Sequence, residues 1–242
     1  MGFYARWHNI SIERVSMVEL QYFGHSFFRI GDKDFNILVD PIFDTTKTDF
    51  KLEKKIPVKP KQLKNVSLIL LGNETPEHFD KKAVEEIALR NGATVVAHEV
   101  VLNDLDLPRN QKTAIGSNNE MFLKGIKLKS IIAHFPKSFY PMGYLVDIGG
   151  KKIYHAGVTA LLDSFSTVKA DVAILPIGGK ATMDVIDAVR ATKIIKPSVV
   201  VPMQYNTFEL SKADPVDFKA RIEKSLLKTK PVILKPGQTV KV

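Results

Sequence analysis

The chain has 242 residues, enough for one large domain with a substantial core. Its 45% hydrophobic and 25% charged content is ordinary for a soluble globular protein, no apolar run reaches the ~18 residues of a membrane span, and the N-terminus lacks the continuous apolar core of a signal peptide. The absence of cysteine excludes disulfides and thiolate metal sites and points to the cytoplasm, while the net charge of +9 permits nucleic-acid or anion binding. The lysines are spread along the whole chain, as on an ordinary soluble surface, and no arginine-aromatic module accompanies them.

Residues 1–16, "MGFYARWHNISIERVS", precede the first hydrophobic alternation, which begins at Met17. They read either as a packed N-terminal arm or as translated sequence upstream of a start at Met17, with Glu13-Arg14 encoded by a purine-rich ribosome-binding sequence. Residues 17–242 read as a single domain. "MVELQYFG", "SFFRIGDKDFNILVD" and "IYHAG" predict strands cut by Gly and Asp. "SLILL", "TVVAH", "ADVAILPI" and "SVVVPM" are continuous apolar runs, as expected of strands buried on both faces. Asp80 caps a predicted helix with the stripe Val84, Ile87 and Ala88, ended by Gly92. Thr182 is the expected cap of a second, with Val185, Ile186 and Val189 on one face. Asp214-Pro215 starts a third, with Phe218, Ile222 and Leu226 recurring on one face. Strands followed by alternating strands and helices predict a sheet-rich α/β (α+β) domain with helices outside.

Of the six histidines, His8, His25, His78, His98, His134 and His155, four lie near strand ends: His25, His78, His134 and His155. Strand ends on one sheet edge are where sites are usually built. The glycines of "PIGGKATM" precede a helix but lack P-loop spacing, and neither a G-x-S-x-G elbow nor a dinucleotide fingerprint is present. Glu85-Glu86 belongs to the solvated face of a helix.

The order "YFGHSFFRI", "NILVDPIF", "SLILLGNETPEHFD", "IIAHFP", "GGKKIYHAGVT" and "ILPIGGKATMDVIDAVRATKIIKPSVVVPMQYNTF" resembles the metallo-β-lactamase superfamily, in its branch of predicted metal-dependent hydrolases similar to ascorbate-6-phosphate lactonase. The resemblance covers residues 17–242 and implies a four-layer αβ/βα sandwich with the site at the edge between two sheets. The family loop T-H-x-H-x-D-H falls on Gly72 to His78. Asn73 and Thr75 stand for two ligand histidines and Glu77 for the aspartate, and His78 is kept. His134 matches the next ligand. Val158 replaces the bridging aspartate, and Gln204 the last histidine. Amides are weak zinc donors and valine is none, so the resemblance implies loss of the dinuclear centre and of its metal-bound hydroxide.

The expectation is a degenerate-site protein or pseudo-enzyme that binds an unknown small molecule. No tight metal is expected. A weak single divalent ion on Glu77, His78, His134 and Gln204 is the residual possibility. The expected cleft is lined by His25, Asn73, Thr75, Val158, Gln204 and Tyr205, with the neutral side chains hydrogen-bonding the remaining His and Glu. The alternatives are a hydrolase of an ester, lactone or phosphoester with a rebuilt site, either mononuclear or metal-free with Glu77 as base and His78 or His134 as acid, and a basic nucleic-acid-binding scaffold. A homo-oligomer is compatible with either; a membrane association is not expected.

Overall fold

The computed structural model describes residues 18–45, 52–53 and 55–242. The arm at 1–16, with His8 and the start proposed at Met17, lies outside the described residues.

The first half of the chain forms β1 (Glu19–Gly24), β2 (Phe27–Gly31), β3 (Asn36–Val39), β4 (Val66–Leu70), α1 (Lys81–Asn91), β5 (Thr94–Ala97), α2 (Glu99–Asn103) and β6 (Lys112–Ala114). The second half forms β7 (Glu120–Leu123), β8 (Ile126–Ile132), β9 (Met142–Ile148), β10 (Lys151–His155), β11 (Val172–Pro176), α3 (Val185–Ile195), β12 (Val199–Met203), α4 (Pro215–Lys224), β13 (Lys230–Pro231) and β14 (Thr239–Lys241).

Two seven-stranded sheets result, ordered β14-β1-β2-β3-β4-β5-β6 and β13-β12-β11-β10-β9-β8-β7. In the first, β14, β1, β2 and β3 pair antiparallel, and β3 to β6 pair parallel. The second repeats the plan, antiparallel from β7 to β10 and parallel from β10 to β13. Parallel neighbours need crossovers, so α1 and α2 lie against the first sheet and α3 and α4 against the second. This is the four-layer αβ/βα arrangement expected.

Alternation along the strands divides the core. Leu20, Tyr22, Phe28 and Ile30 belong to the cluster shared with the second sheet, which holds Leu128, Tyr144 and Ile153. Phe23, Phe27, Leu38 and Ile69 take the opposite face and pack with Val84, Ile87 and Ala88 of α1. The α1 boundaries are those expected: the Asp80 side chain accepts from Ala83 N, and Gly92 closes the helix at φ 63.

Two helix readings are corrected. Asp184, not Thr182, caps α3 by accepting from Asp187 N, because the helix begins at Val185 and Thr182 lies in the turn before it, where its hydroxyl donates to Gly179 O. The expected α3 face holds in part: Val189 is buried with Ala188, Ala191, Thr192 and Ile195, Val185 packs half-buried against the same core, and Ile186 is exposed. In α4 the Asp214 cap, Pro215, Phe218 and Ile222 are as expected, but the helix stops at Lys224 and Leu226 beyond it is fully exposed.

Candidate functional site

The loops after β1, β3, β4, β10, β11 and β12 meet at one edge between the sheets. They carry His25 and Ser26, Asp40, Gly72 to His78, Val158, Gly178 to Thr182, and Gln204 respectively. A cavity of about 330 Å3 opens there, at the lower end of the roughly 300–1,000 Å3 common for ligand sites. His25, Glu77, His78, Val158 and Gln204 line it, together with an apolar wall of Phe135, Phe208 and Leu210 and the lysines Lys137 and Lys180.

The backbone here is held in costly conformations. His25 (φ 53), Asp40 (φ 46) and Gln204 (φ 57) are buried non-glycine residues in the left-handed region, each at a cost of about 1–3 kcal/mol that the surrounding structure must supply. Gly178 is required by close approach: a Cβ there would sit 2.2 Å from the Gln204 carbonyl oxygen.

Side-chain hydrogen bonds join the loops. His25 Nδ1 lies 2.9 Å from Thr207 Oγ1, and His25 Nε2 lies 3.3 Å from His78 Nε2. On its other side His78 Nδ1 is 2.7 Å from Ser26 Oγ and 3.5 Å from Asp40 Oδ2. Asp40 is fully buried; its Oδ1 accepts from Gly72 N at 2.7 Å, and its Oδ2 has no hydrogen-bond partner. Burial, reinforced by neighbouring His78, pushes the His25 pKa well below its ordinary value. His155 is likewise lowered, chiefly by burial. Its Nδ1 accepts from Gly157 N, so its Nε2 carries the proton donated to Ser26 O at 2.9 Å. His155 is thus a structural imidazole tied to backbone and is not part of the cavity wall.

The structure brings together only part of the expected set. His25, Glu77, His78, Val158 and Gln204 share the cavity. Asn73 and Thr75 are buried behind it and satisfy each other: Asn73 Oδ1 accepts from Thr75 N at 2.8 Å and from Thr75 Oγ1 at 2.6 Å. Gln204 Nε2 donates to Gly157 O at 3.4 Å. These neutral side chains therefore bond to one another and to backbone, not to His78 or Glu77 as expected. His134 is exposed and lines a separate hollow with His98, Phe139 and Tyr140, because β8 ends before it and turns it outward. Tyr205 turns away from the cavity, donates to Leu234 O at 3.3 Å, and has its pKa pushed up to about 12 by burial.

Ser26, Asp40, Thr207 and Glu74 complete the arrangement and were not legible as site residues. Asp40 alone carried a local signal, a carboxylate ending the buried run "NILVD". Glu74 acts as a strut, its carboxylate accepting from Ser138 Oγ at 2.7 Å and Phe139 N at 2.6 Å, and so holds the segment that bears Phe135 and Lys137.

These residues do not fit a dinuclear metal centre. Asn73 Oδ1 is committed to Thr75, its Nδ2 is a donor without a partner, Val158 offers no electron pair, and His134 points elsewhere. Among the described residues no three His, Cys, Asp or Glu side chains gather in a way suited to a metal ion.

Fold and cavity together define a metallo-β-lactamase-like domain. Residues 19–204 match the beta-lactamase superfamily domain. A UPF0173 metal-dependent hydrolase of Aeropyrum pernix is 34% identical over 247 residues, covering 92% of this chain and 97% of that protein. A second, from Thermoplasma acidophilum, is 36% identical over 213 residues, covering 84% and 90%. The solved structure of Igni18, described as a novel metallo hydrolase from Ignicoccus hospitalis, superposes with a TM-score of 0.79 at 30% identity, covering 93% and 98%. The chain belongs to the beta-lactamase superfamily, among the UPF0173 relatives. No helix among the described residues is long and apolar enough to cross a membrane.

Proposed function

We propose that this chain is a metallo-β-lactamase-fold protein that has given up dinuclear zinc hydrolysis and uses the inherited cleft to bind a small organic ligand. One observation carries the reading: of the positions that hold metal in the family pattern, only Glu77, His78, Val158 and Gln204 face the cavity, and of these Val158 offers no electron pair and Gln204 only an amide. A dinuclear zinc centre needs several imidazole or carboxylate donors around a shared solvent position, and the donors at Asn73, Thr75, Val158 and His134 are spent, missing or turned away. What remains is a pocket with a polar floor at His25, His78 and Gln204 and an apolar wall at Phe135, Phe208 and Leu210. Lys137 and Lys180 favour a ligand with an anionic end.

The test has two arms. Chain stripped with EDTA and reloaded with zinc, manganese or iron is assayed on p-nitrophenyl acetate, a simple lactone and bis-p-nitrophenyl phosphate, and no metal-dependent turnover is expected. In EDTA, small carboxylates such as phenylacetate are screened by ligand-observed NMR, and binding that Phe208→Ala weakens is expected. Turnover that requires two metal equivalents per chain overturns the reading.

A further inference from the structure

The cavity carries charges of both signs. Lys137 and Lys180 line it, and so does Glu77. Glu77 is half-buried and makes no hydrogen bond or ion pair among the described residues. A carboxylate drawn partly out of water without a partner is costly, and a cation bound beside it relieves that cost. A purely anionic ligand would instead meet Glu77 as a like charge.

Gln204 supplies a second acceptor. Its side chain is buried, and the orientation of its amide is fixed because only the Nε2 end can donate to Gly157 O at 3.4 Å. The Oε1 end accepts from no group among the described residues, yet it is not sealed off as Asp40 Oδ2 is, so its free electron pair meets the cavity. An acceptor on so deeply buried a side chain takes its donor from whatever fills the cavity. An amide oxygen and a carboxylate together suit an ammonium group, which has three N–H donors and no acceptor.

The loop after β11 has the opposite character. Lys180 and Ala181 line the cavity, and their backbone N–H groups donate to nothing among the described residues; the turn is closed instead by Gly179 N on Met183 O and Thr182 N on Gly179 O. Unpaired N–H groups beside a lysine suit a carboxylate. The two loops are neighbours: a Cβ on Gly178 would sit 2.2 Å from the Gln204 carbonyl oxygen. Acceptors and donors therefore stand side by side, as the adjacent charges of an α-amino acid require. The volume of about 330 Å3 is small for a ligand site and suits a molecule of that size.

We propose that the ligand of this cavity is a zwitterion, an α-amino acid with an apolar side chain. Its ammonium donates to Glu77 and Gln204 Oε1. Its carboxylate is held by Lys180 and by the N–H groups of Lys180 and Ala181. Its side chain lies on Phe135, Phe208 and Leu210. The proposal rests on the ligand-binding reading and narrows it from a small molecule with an anionic end to one that carries a cation beside that end.

The test is calorimetry and ligand-observed NMR on the full chain in EDTA at about pH 7.5. The probes are L-phenylalanine, 3-phenylpropanoate, which lacks only the ammonium, and phenethylamine, which lacks only the carboxylate. One L-phenylalanine per chain is expected, bound roughly 10–100-fold tighter than either of the others, the loss that follows removal of a charge-assisted hydrogen bond. Glu77→Gln is expected to abolish the advantage over 3-phenylpropanoate, and Lys180→Met to reduce the advantage over phenethylamine. Equal binding of L-phenylalanine and 3-phenylpropanoate overturns the zwitterion while the ligand-binding reading stands. Absence of L-phenylalanine binding overturns it too, and phenylacetate then decides the ligand-binding reading on its own. The three probes are compared on the unmodified chain, so a variant that fails to fold leaves the proposal open to refutation.

Discussion

Thr207→Val probes the histidine pair through its outer anchor. The substitution keeps the side-chain volume and removes one hydroxyl from a site 5% exposed. The lost contact is the 2.9 Å bond to His25 Nδ1; the 3.4 Å contact to Ser211 Oγ is long and adds little. His25 is buried, so its Nδ1 is left without a partner in either tautomer, as bare donor or as bare acceptor. An orphaned buried polar group costs about 1–3 kcal/mol, and the new methyl group returns up to about 0.8 kcal/mol of burial. The net loss is about 1–2 kcal/mol. With a urea slope near 2–3 kcal/mol/M, that is a midpoint lower by about 0.5 M. The assay is urea unfolding followed by circular dichroism at pH 8 in EDTA, well above the lowered pKa of His25 and with no metal contributing. A midpoint within about 0.1 M of the parent, at unchanged slope, would refute the claim that Thr207 fixes the His25 ring.

Three further outcomes are expected. Burial holds His25 and His155 below their ordinary pKa of 6.5, so the unfolded chain binds more protons than the folded one as pH falls through that value. Stability is therefore full above about pH 7 and declines toward pH 5.5, by up to about 1.4 kcal/mol per pH unit for each histidine; equal urea midpoints at pH 5.5 and 7.5 would contradict this. Gly178→Ala drives a Cβ to 2.2 Å from Gln204 O, so it should cost about 3 kcal/mol and lower the melting temperature by about 6–12 °C, checked by calorimetry. A drop under about 2 °C would show that the two loops part easily. Glu74→Ala removes the acceptor for Ser138 Oγ and Phe139 N. It should speed amide exchange at Phe139 and Tyr140 while leaving α3 unchanged, and equal exchange in both segments would count against the strut.

The doubled architecture shows how far local pattern reaches. The buried runs "SLILL", "TVVAH", "ADVAILPI" and "SVVVPM" became β4, β5, β11 and β12, the central parallel strands, because only strands covered on both faces dispense with polar alternation. Short edge strands such as β13 and β14 carry too few residues to show a period, and their partners lie far along the chain. The cap of α3 was misplaced by two residues because Thr182 and Asp184 are both competent acceptors. Which of them serves depends on where the chain turns into the helix, and Thr182 is held in the preceding turn against Gly179 O while α3 begins at Val185.

The sequence by itself determined the fold class, the strand-end positions of the site loops and the presence of Asn73, Thr75, Val158 and Gln204 on those loops. Those are properties of residue identity and chain order. Only the tertiary structure decided which side chains share a cavity. It turned His134 and Tyr205 away, buried Asn73 against Thr75, and brought His25 from β1 to within 3.3 Å of His78 after β4. The physical reason is that left-handed backbone at His25, Asp40 and Gln204, and the hydrogen bonds that hold it, depend on contacts between loops that are distant in sequence.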